Sequence, residues 1–173
     1  MCTLGGSLST YGIISVYISP FNDPPLVRAP PPGTISTEID AALGADIGQG
    51  GVLAVEDPDA KDSAYYSADG MRVEGPLSVQ IIAGRGRLSL RAREGLSFAE
   101  GEGLDDPVMH FSGGIDDVNR AIASLEYRCR TVDGCSAGMD GIVVTVDDNG
   151  FTGKGGAMVG TATINVDVVI TYV

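Results

Sequence analysis

Short runs of alternating apolar and polar residues, separated by glycine, proline and aspartate, are the feature that most limits what this chain can fold into. Residues 161–168 (TATINVDV) and 141–147 (GIVVTVD) are two such runs. A period of two residues places alternate side chains on opposite faces of a β-strand. With 25 glycines and 9 prolines among 173 residues, turns recur too often for long helices. The sequence therefore predicts an all-β fold with about one domain's worth of core.

The strands can be placed approximately from the positions of these runs. We expect strands near residues 34–39, 51–56, 77–82, 86–91, 107–112, 123–129, 141–147 and 158–169. This number of short strands suits a two-sheet Greek-key sandwich of the immunoglobulin-like kind. One segment departs from the pattern, because Val118, Ile122 and Leu125 recur at helical spacing behind two aspartates. We expect one short helical segment there, and hairpin turns at the glycine-rich residues 84–86 and 153–156.

The N-terminal residues predict an additional strand that is separate from the main domain. Residues 12–18 alternate, and aligning residues 14–16 with 164–166 indicates a repeat of the closing strand. We therefore interpret residues 1–25 as the closing strand and linker of a preceding repeat, and residues 26–173 as the domain itself. The first residues lack the basic and continuously apolar parts of a signal peptide. We expect the chain to be a segment of a longer protein or an incomplete gene model.

The chain is acidic, with a formal net charge of −12 at pH 7 and an isoelectric point near 4.2. This charge opposes the phosphate backbone and the surface of an anionic membrane, so nucleic-acid and membrane-surface partners are disfavoured. The sequence contains no apolar run of the roughly 18 residues that a membrane span needs. Divalent cations are the natural counterions of clustered carboxylates.

The chain has three cysteines, Cys2, Cys129 and Cys135. The last two are close enough along the chain for a loop to bring them together, which predicts a disulfide and an oxidising compartment. Two unpaired thiols remain the alternative. A zinc site is disfavoured because the cysteines and the lone His110 lack paired ligand spacing.

Several short motifs follow one another in a characteristic order. They are 36–38 (STE), 53–60 (LAVEDPDA), 86–90 (GRLSL), 96–98 (LSF), 111–114 (FSGG), 118–121 (VNRA), 125–128 (LEYR), 138–141 (GMDG) and 144–150 (VTVDDNG), preceded by 21–25 (FNDPP). In order and spacing this set resembles the cadherin-like repeat. The middle of the set is similar to the chondroitin-sulfate-proteoglycan type found in large extracellular matrix and cell-surface proteins. The resemblance extends over roughly residues 13–169.

The resemblance implies a Ca²⁺ site built from the linker and two loops of the repeat that follows. The matching positions are Asn22 and Asp23 in the linker, Asp57 and Asp59 in the first loop, and Asp147 in the hairpin loop. Their oxygens are of the kind that Ca²⁺ prefers, and converging carboxylates would repel one another without a cation. The alternative is that these side chains only form Asx-turns in solvated loops.

Two features of the resembled family are incomplete in this sequence. Glu38 would belong to a lower calcium site, but no second linker follows Val173. The mid-repeat Asp-Arg-Glu motif and the anchoring tryptophan of adhesive cadherins are also lacking, since the chain contains no tryptophan. Adhesion by exchange of an N-terminal strand is therefore not expected.

The sequence thus predicts a calcium-binding structural or adhesive module of a tandem cadherin-like protein, located outside the cell or on its surface. Its expected partners are neighbouring repeats, further copies of the chain or matrix proteins. Two alternatives remain, a carbohydrate- or ligand-binding sandwich and a filament subunit that assembles by strand complementation. No enzyme is expected, because His110 lies in an alternating run and no nucleophile motif is present.

Overall fold

The computed structural model describes residues 11–16, 21–49, 51–60, 65–66, 72–73, 75–150 and 154–170. The regular structure in these ranges is mostly β-strand, in several sheets with one α-helix, which is consistent with an all-β sandwich. The strands are β1 (Leu26–Arg28), β2 (Ile35–Glu38), β3 (Ala45–Asp46), β4 (Ala54–Glu56), β5 (Tyr65–Tyr66), β6 (Arg72–Val73), β7 (Leu77–Ala83), β8 (Arg87–Leu90), β9 (Ser97–Glu100), β10 (Val108–Gly113), β11 (Leu125–Arg128), β12 (Gly138–Asp147) and β13 (Val159–Val169). The helix α1 spans Ile115–Ile122, and a 3-10 turn spans Thr131–Asp133.

The largest sheet has six strands in the order β2-β13-β12-β7-β10-β9. All neighbours in it are antiparallel except β2 and β13, which are parallel. Its longest ladder joins β12 and β13 from the pair Gly138 and Val168 to the pair Asp147 and Val159. This confirms that β12 and β13 form a hairpin; of its predicted turn at residues 153–156, residue 153 lies outside the described residues.

A second sheet contains three strands in the order β3-β11-β8, and two further sheets pair β1 with β4 and β5 with β6. The core lies on the side of these sheets where alternate residues are apolar. In β12, Ile142, Val144 and Val146 are buried, and in β11 Leu125 and Tyr127 are buried. This period of two is the one that the sequence predicts.

The helix α1 is amphipathic and buries Ile115, Val118, Ala121 and Ile122. Asp116 and Asp117 lie in its first turn and Arg120 in its last, the placement that the helix dipole favours. On its polar side, Asn119 binds the backbone of Val55 in both directions, with Nδ2 donating to the carbonyl at 3.0 Å and Oδ1 accepting from the amide at 2.7 Å. The helix thereby fixes β4 and the acidic loop that follows it.

The strand predicted over residues 12–18 is not formed in its described part. Residues 11–16 have no regular structure, and the side chains of Ile13 and Ile14 are 96% and 88% exposed. Residues 17 and 18 lie outside the described residues. The physical reason is that a strand requires a neighbour to accept its backbone hydrogen bonds, and residues 11–16 form no ladder within the described chain.

The disulfide between Cys129 and Cys135 is present, with the two Cα atoms 5.4 Å apart. It closes the loop that contains the 3-10 turn Thr131–Asp133. Both cysteines are buried. The bridge therefore ties the end of β11 to the segment that leads into β12.

Candidate metal centre

Three segments that are distant in sequence bring polar oxygens together at one place. The linker contributes Asn22, the loop after β4 contributes Asp57 and Asp59, and the residue directly after β12 is Asp148. The Nδ2 atom of Asn22 donates to Oδ2 of Asp148 at 2.7 Å. The backbone amide of Asp23 donates to Oδ2 of Asp59 at 2.7 Å. The linker is thus attached to both loops.

Asp57 is the central side chain of this cluster. It is 7% exposed, and its Oδ1 atom accepts from the backbone amides of Asp59 at 2.9 Å and Ala60 at 3.0 Å. Its other oxygen, Oδ2, is buried and has no hydrogen-bond partner among the described residues. A buried carboxylate oxygen without a partner is costly, so this atom needs an explanation.

The surroundings of Asp57 add to that cost. Burial raises the pKa of its carboxyl above the ordinary value, and the negative charges of Asp148 and Asp59 raise it further. The two backbone amides act in the opposite direction but do not cancel the rise. The Asp57 charge is therefore destabilised by its position in the folded protein.

Asp148 is also buried, at 3% exposure. Its Oδ1 atom accepts from the backbone amides of Gly150 at 2.8 Å and Met158 at 2.9 Å, which closes the loop between β12 and β13. Asn22, 4% exposed, makes a second bond from Nδ2 to the carbonyl oxygen of Gly156 at 2.8 Å. The amide group of Asn22 thus lies between a carboxylate oxygen and a carbonyl oxygen.

A cavity of about 380 Å³ reaches this cluster from the side of the helix. Its walls include Glu56, Asp57, Pro58, Ile115 and Asn119. Asp57 is therefore part of the wall of an open cavity.

The structure brings together three of the five residues that the sequence predicts as ligands, Asn22, Asp57 and Asp59. Asp23 joins them through its backbone amide, while the residue itself is exposed. Asp147 lies elsewhere. Its Oδ1 atom accepts from the amide of Asn149 at 2.7 Å, and its side chain lines a separate cavity of about 220 Å³ with Ser78 and His110.

Asp148 is the residue of the cluster that the sequence reasoning missed, and a signal for it was present. Ile142, Val144 and Val146 all point into the core, so the alternation of β12 continues to Asp148 and not to Asp147. Counting in steps of two along the strand selects the inward carboxylate. Glu38, at the end of β2, is exposed and remote in sequence from these loops.

The cavity beside Asp147 contains the single histidine of the chain in contact with a hydroxyl, since Oγ of Ser78 and Nε2 of His110 are 2.8 Å apart. The side chains of Ser78, His110 and Asp147 lie on the outer face of the six-stranded sheet. In the described part of the chain, no hydrogen bond from Asp147 to His110 completes a triad.

Comparisons with known proteins give no relative. No family model, no curated protein and no solved structure matches the chain. Within the described ranges, no three His, Cys, Asp or Glu side chains stand in the arrangement of a ready-formed metal centre. Over the same residues, no helix has the length and apolar character needed to cross a membrane.

Proposed function

We propose that this chain is a calcium-stabilised structural module, a cadherin-like Greek-key sandwich that joins to neighbouring repeats outside the cell or on its surface. The observation that supports the proposal is the buried Oδ2 atom of Asp57, which has no hydrogen-bond partner in the described part of the chain and lies near two further aspartates. A cation at this position would supply the missing partner and offset the repulsion.

Asn22, Asp57, Asp59 and Asp148 would hold the ion, together with the carbonyl oxygen of Gly156. All are hard oxygen donors, which suits Ca²⁺ and not the softer metals. The Asn22 amide now donates to Asp148 and Gly156. Turning it over would present its Oδ1 atom instead, and both of its present acceptors would become free to bind a cation. The ion would lock the linker to the two loops, which is a mechanical role and not a catalytic one.

Without a cation, a hydrogen bond such as the Asn22–Asp148 contact takes the place of a metal–oxygen bond. The disulfide supports the proposed location, because such bridges persist mainly in oxidising compartments.

The first test is thermal unfolding of the whole chain in EDTA, in millimolar CaCl2 and in MgCl2. We expect calcium to raise the melting temperature by about 5–10 °C when it exceeds the dissociation constant about a hundredfold. Mg²⁺ should give a much smaller rise, because it demands a tighter octahedron and releases its water reluctantly. Equal melting temperatures in EDTA and calcium would refute the proposal.

The calcium effect should also depend on pH. The pKa of Asp57 is raised, so protons compete with calcium for this carboxylate at a higher pH than for an ordinary aspartate. In EDTA, the contribution of Asp57 to stability is greatest below the unfolded pKa and is lost as pH rises through the folded pKa. We therefore expect the calcium-induced rise in melting temperature to be full near pH 7 and to shrink as the pH falls through the folded pKa.

That dependence is measured by repeating the EDTA and calcium scans at several pH values between about 4 and 8, the window around the ordinary and raised carboxyl values. The difference between the paired scans isolates the calcium term from general acid destabilisation. A difference that is constant down to the ordinary aspartate value of 3.8 would mean that Asp57 is not a ligand.

A further inference from the structure

Arginine is concentrated on one surface of this acidic chain. The chain has only 11 lysines and arginines against 23 carboxylates, yet one cavity of about 510 Å³ has four arginines in its wall. We name this cavity the arginine groove. Its other charged wall residues are only two, Asp105 and Glu126. The four arginines are Arg91, Arg93, Arg128 and Arg130.

The groove is formed by the outer face of the sheet that contains β8 and β11. Leu88 and Leu90 of β8 point into the core, so Arg87 and Ser89 point outward. The same alternation in β11 places Glu126 and Arg128 outward. The ladder pairs Arg128 directly with Arg87. Two like charges opposite each other destabilise a sheet, and here Asp133, 3.9 Å from Nε of Arg87, offsets part of that repulsion.

Not all of the guanidinium groups are neutralised by neighbours. Arg91 is paired with Glu126, and Arg130 binds Asp105 at 2.5 Å and Asp133 at 2.6 Å. Arg93 donates to the carbonyl oxygen of Glu102, which is uncharged, at 3.3 Å. Arg128 forms no ion pair within the described part of the chain. Arg93 and Arg128 are both half-buried, and Arg93 also interacts with the nearby Glu94 carboxylate. The groove therefore leaves Arg128, and in part Arg93, as donors for an anion.

We propose that the arginine groove binds a short acidic saccharide that carries sulfate or carboxylate groups. Guanidinium groups bind such oxyanions through two parallel hydrogen bonds, and the Ser89 side chain and Leu104 offer a hydroxyl and an apolar surface. The volume is within the range of small-molecule sites. The scarcity of aromatic residues, 6% of the chain, disfavours stacking of neutral sugars but not recognition of acidic ones.

The position of the groove excludes one mode of peptide binding. A peptide that binds by adding a strand needs a free sheet edge, whereas acidic peptide motifs can also bind arginine clusters through side chains. The free edge of β8 is already covered, because the amide and carbonyl of Leu88 pair with Asp106 and the amide of Leu90 donates to Gly103. A ligand on the face of the sheet must bind through side chains alone.

The net charge of −12 limits the length of the ligand. Charges further than about 8 Å are screened at physiological ionic strength, so a short anion interacts mainly with the arginines. A long polyanion would extend over the acidic remainder of the surface and be repelled. We therefore expect a disaccharide or tetrasaccharide to bind better, per charged group, than a polymer.

The test is calorimetric titration of the whole chain with a sulfated, uronic-acid-containing tetrasaccharide, in EDTA so that calcium bridging plays no part. We expect saturable binding that weakens with added NaCl. Arg128→Gln and Arg93→Gln should each weaken it about tenfold or more, since each removes a charge-assisted contact. The matched control is Arg120→Gln on α1, an exposed arginine that is paired with Asp117 at 2.8 Å.

The melting temperature of each variant should stay within about 2 °C of the parent, because these side chains are on the surface. A neutral tetrasaccharide and an oligoglutamate peptide complete the comparison, and neither should match the sulfated sugar. No heat of binding, an equal loss in Arg120→Gln, or equally tight binding of the peptide would each overturn the proposal. Because the titration is done without calcium, its outcome is independent of the metal centre.

Discussion

Replacing Asp57 by asparagine is expected to give a variant that is at least as stable as the parent chain in EDTA but less stable than the parent in calcium. In EDTA the variant should melt at or above the temperature of the parent chain. The substitution removes a buried charge that Asp59 and Asp148 repel, and the amide oxygen can still accept from the backbone of Asp59 and Ala60. In calcium the parent should gain about 2–3 kcal/mol at a hundredfold excess over the dissociation constant, and the variant almost none.

The reversal distinguishes a metal ligand from a residue that only holds the loop. If Asp57 only formed its Asx-turn, which asparagine also forms, the variant would show the same calcium-induced rise in melting temperature as the parent. Asp167→Asn is the matched control, because it removes one exposed carboxylate from β13 with the same change in net charge. That control should respond to calcium as the parent does.

Asp147→Asn and Asp148→Asn separate the two assignments of the third loop. The structure places Asp148 beside Asn22 and directs Asp147 to the outer face of the sheet. We therefore expect Asp148→Asn to abolish the calcium response and Asp147→Asn to preserve it. The opposite result would favour the ligand set that the family resemblance implies over the one that the structure assembles.

The strands of this chain were predictable where each buries one complete face. The predicted segments 77–82, 107–112 and 158–169 correspond closely to β7, β10 and β13. Their alternation is a local property, because each buried side chain identifies the next one two residues along. The helical spacing of Val118 and Ile122 located α1 for the same reason.

The strands that were missed do not have this local signal. In β9, at the edge of the six-stranded sheet, Phe98 alone is partly buried, and its ladder with β10 shifts register between His110 and Phe111. The short strand β1 buries only Val27. Edge and two- or three-residue strands are formed by their partners, so their own sequence contains little evidence for them.

The hairpin turn predicted at residues 84–86 is wrong, because β7 and β8 belong to different sheets. Gly84 and Gly86 are needed because neighbouring side chains pack closely against their Cα atoms. A Cβ atom on Gly86 would lie 2.2 Å from the Tyr127 ring, and one on Gly84 would lie 2.4 Å from Oδ1 of Asp140. A glycine-rich link between two strands is compatible with a hairpin or a crossover, and only the tertiary structure decides.

Replacing Asp140 by alanine is expected to cause the largest loss of stability. Asp140 is 3% exposed, and its Oδ2 atom accepts from the Tyr127 hydroxyl at 2.6 Å and the amides of Arg85 and Gly86 at 3.1 Å each. Its Oδ1 atom accepts from the amide of Gly141 at 2.9 Å. Alanine would leave these donors buried without an acceptor, at a cost of about 3–5 kcal/mol.

The Asp140 carboxylate lies in β12 and binds both β11 and the segment that crosses from β7 to β8. Its hydrogen bonds therefore connect the six-stranded sheet with the three-stranded sheet. Tyr127→Phe removes one of its donors and keeps the ring in the core, so about 1–2 kcal/mol should be lost. Burial and the bond to Asp140 both raise the pKa of Tyr127, which keeps its hydroxyl protonated as the donor. Urea unfolding in EDTA measures the free energy of unfolding of each variant against the parent.

Asp140→Ala also tests whether the metal centre is energetically separate from the fold. No member of the Asp140 network is a member of the Asn22–Asp148 cluster, so the effects of distant, unshared sites should add. We expect the variant to unfold more easily in both buffers but to keep the full calcium-induced rise, whereas Asp57→Asn loses the rise and keeps the fold. If Asp140→Ala lowers the free energy of unfolding by less than about 1 kcal/mol, the contribution of an ordinary hydrogen bond, the Asp140 network does not join the sheets. Loss of the calcium rise in Asp140→Ala would show that the two regions are coupled.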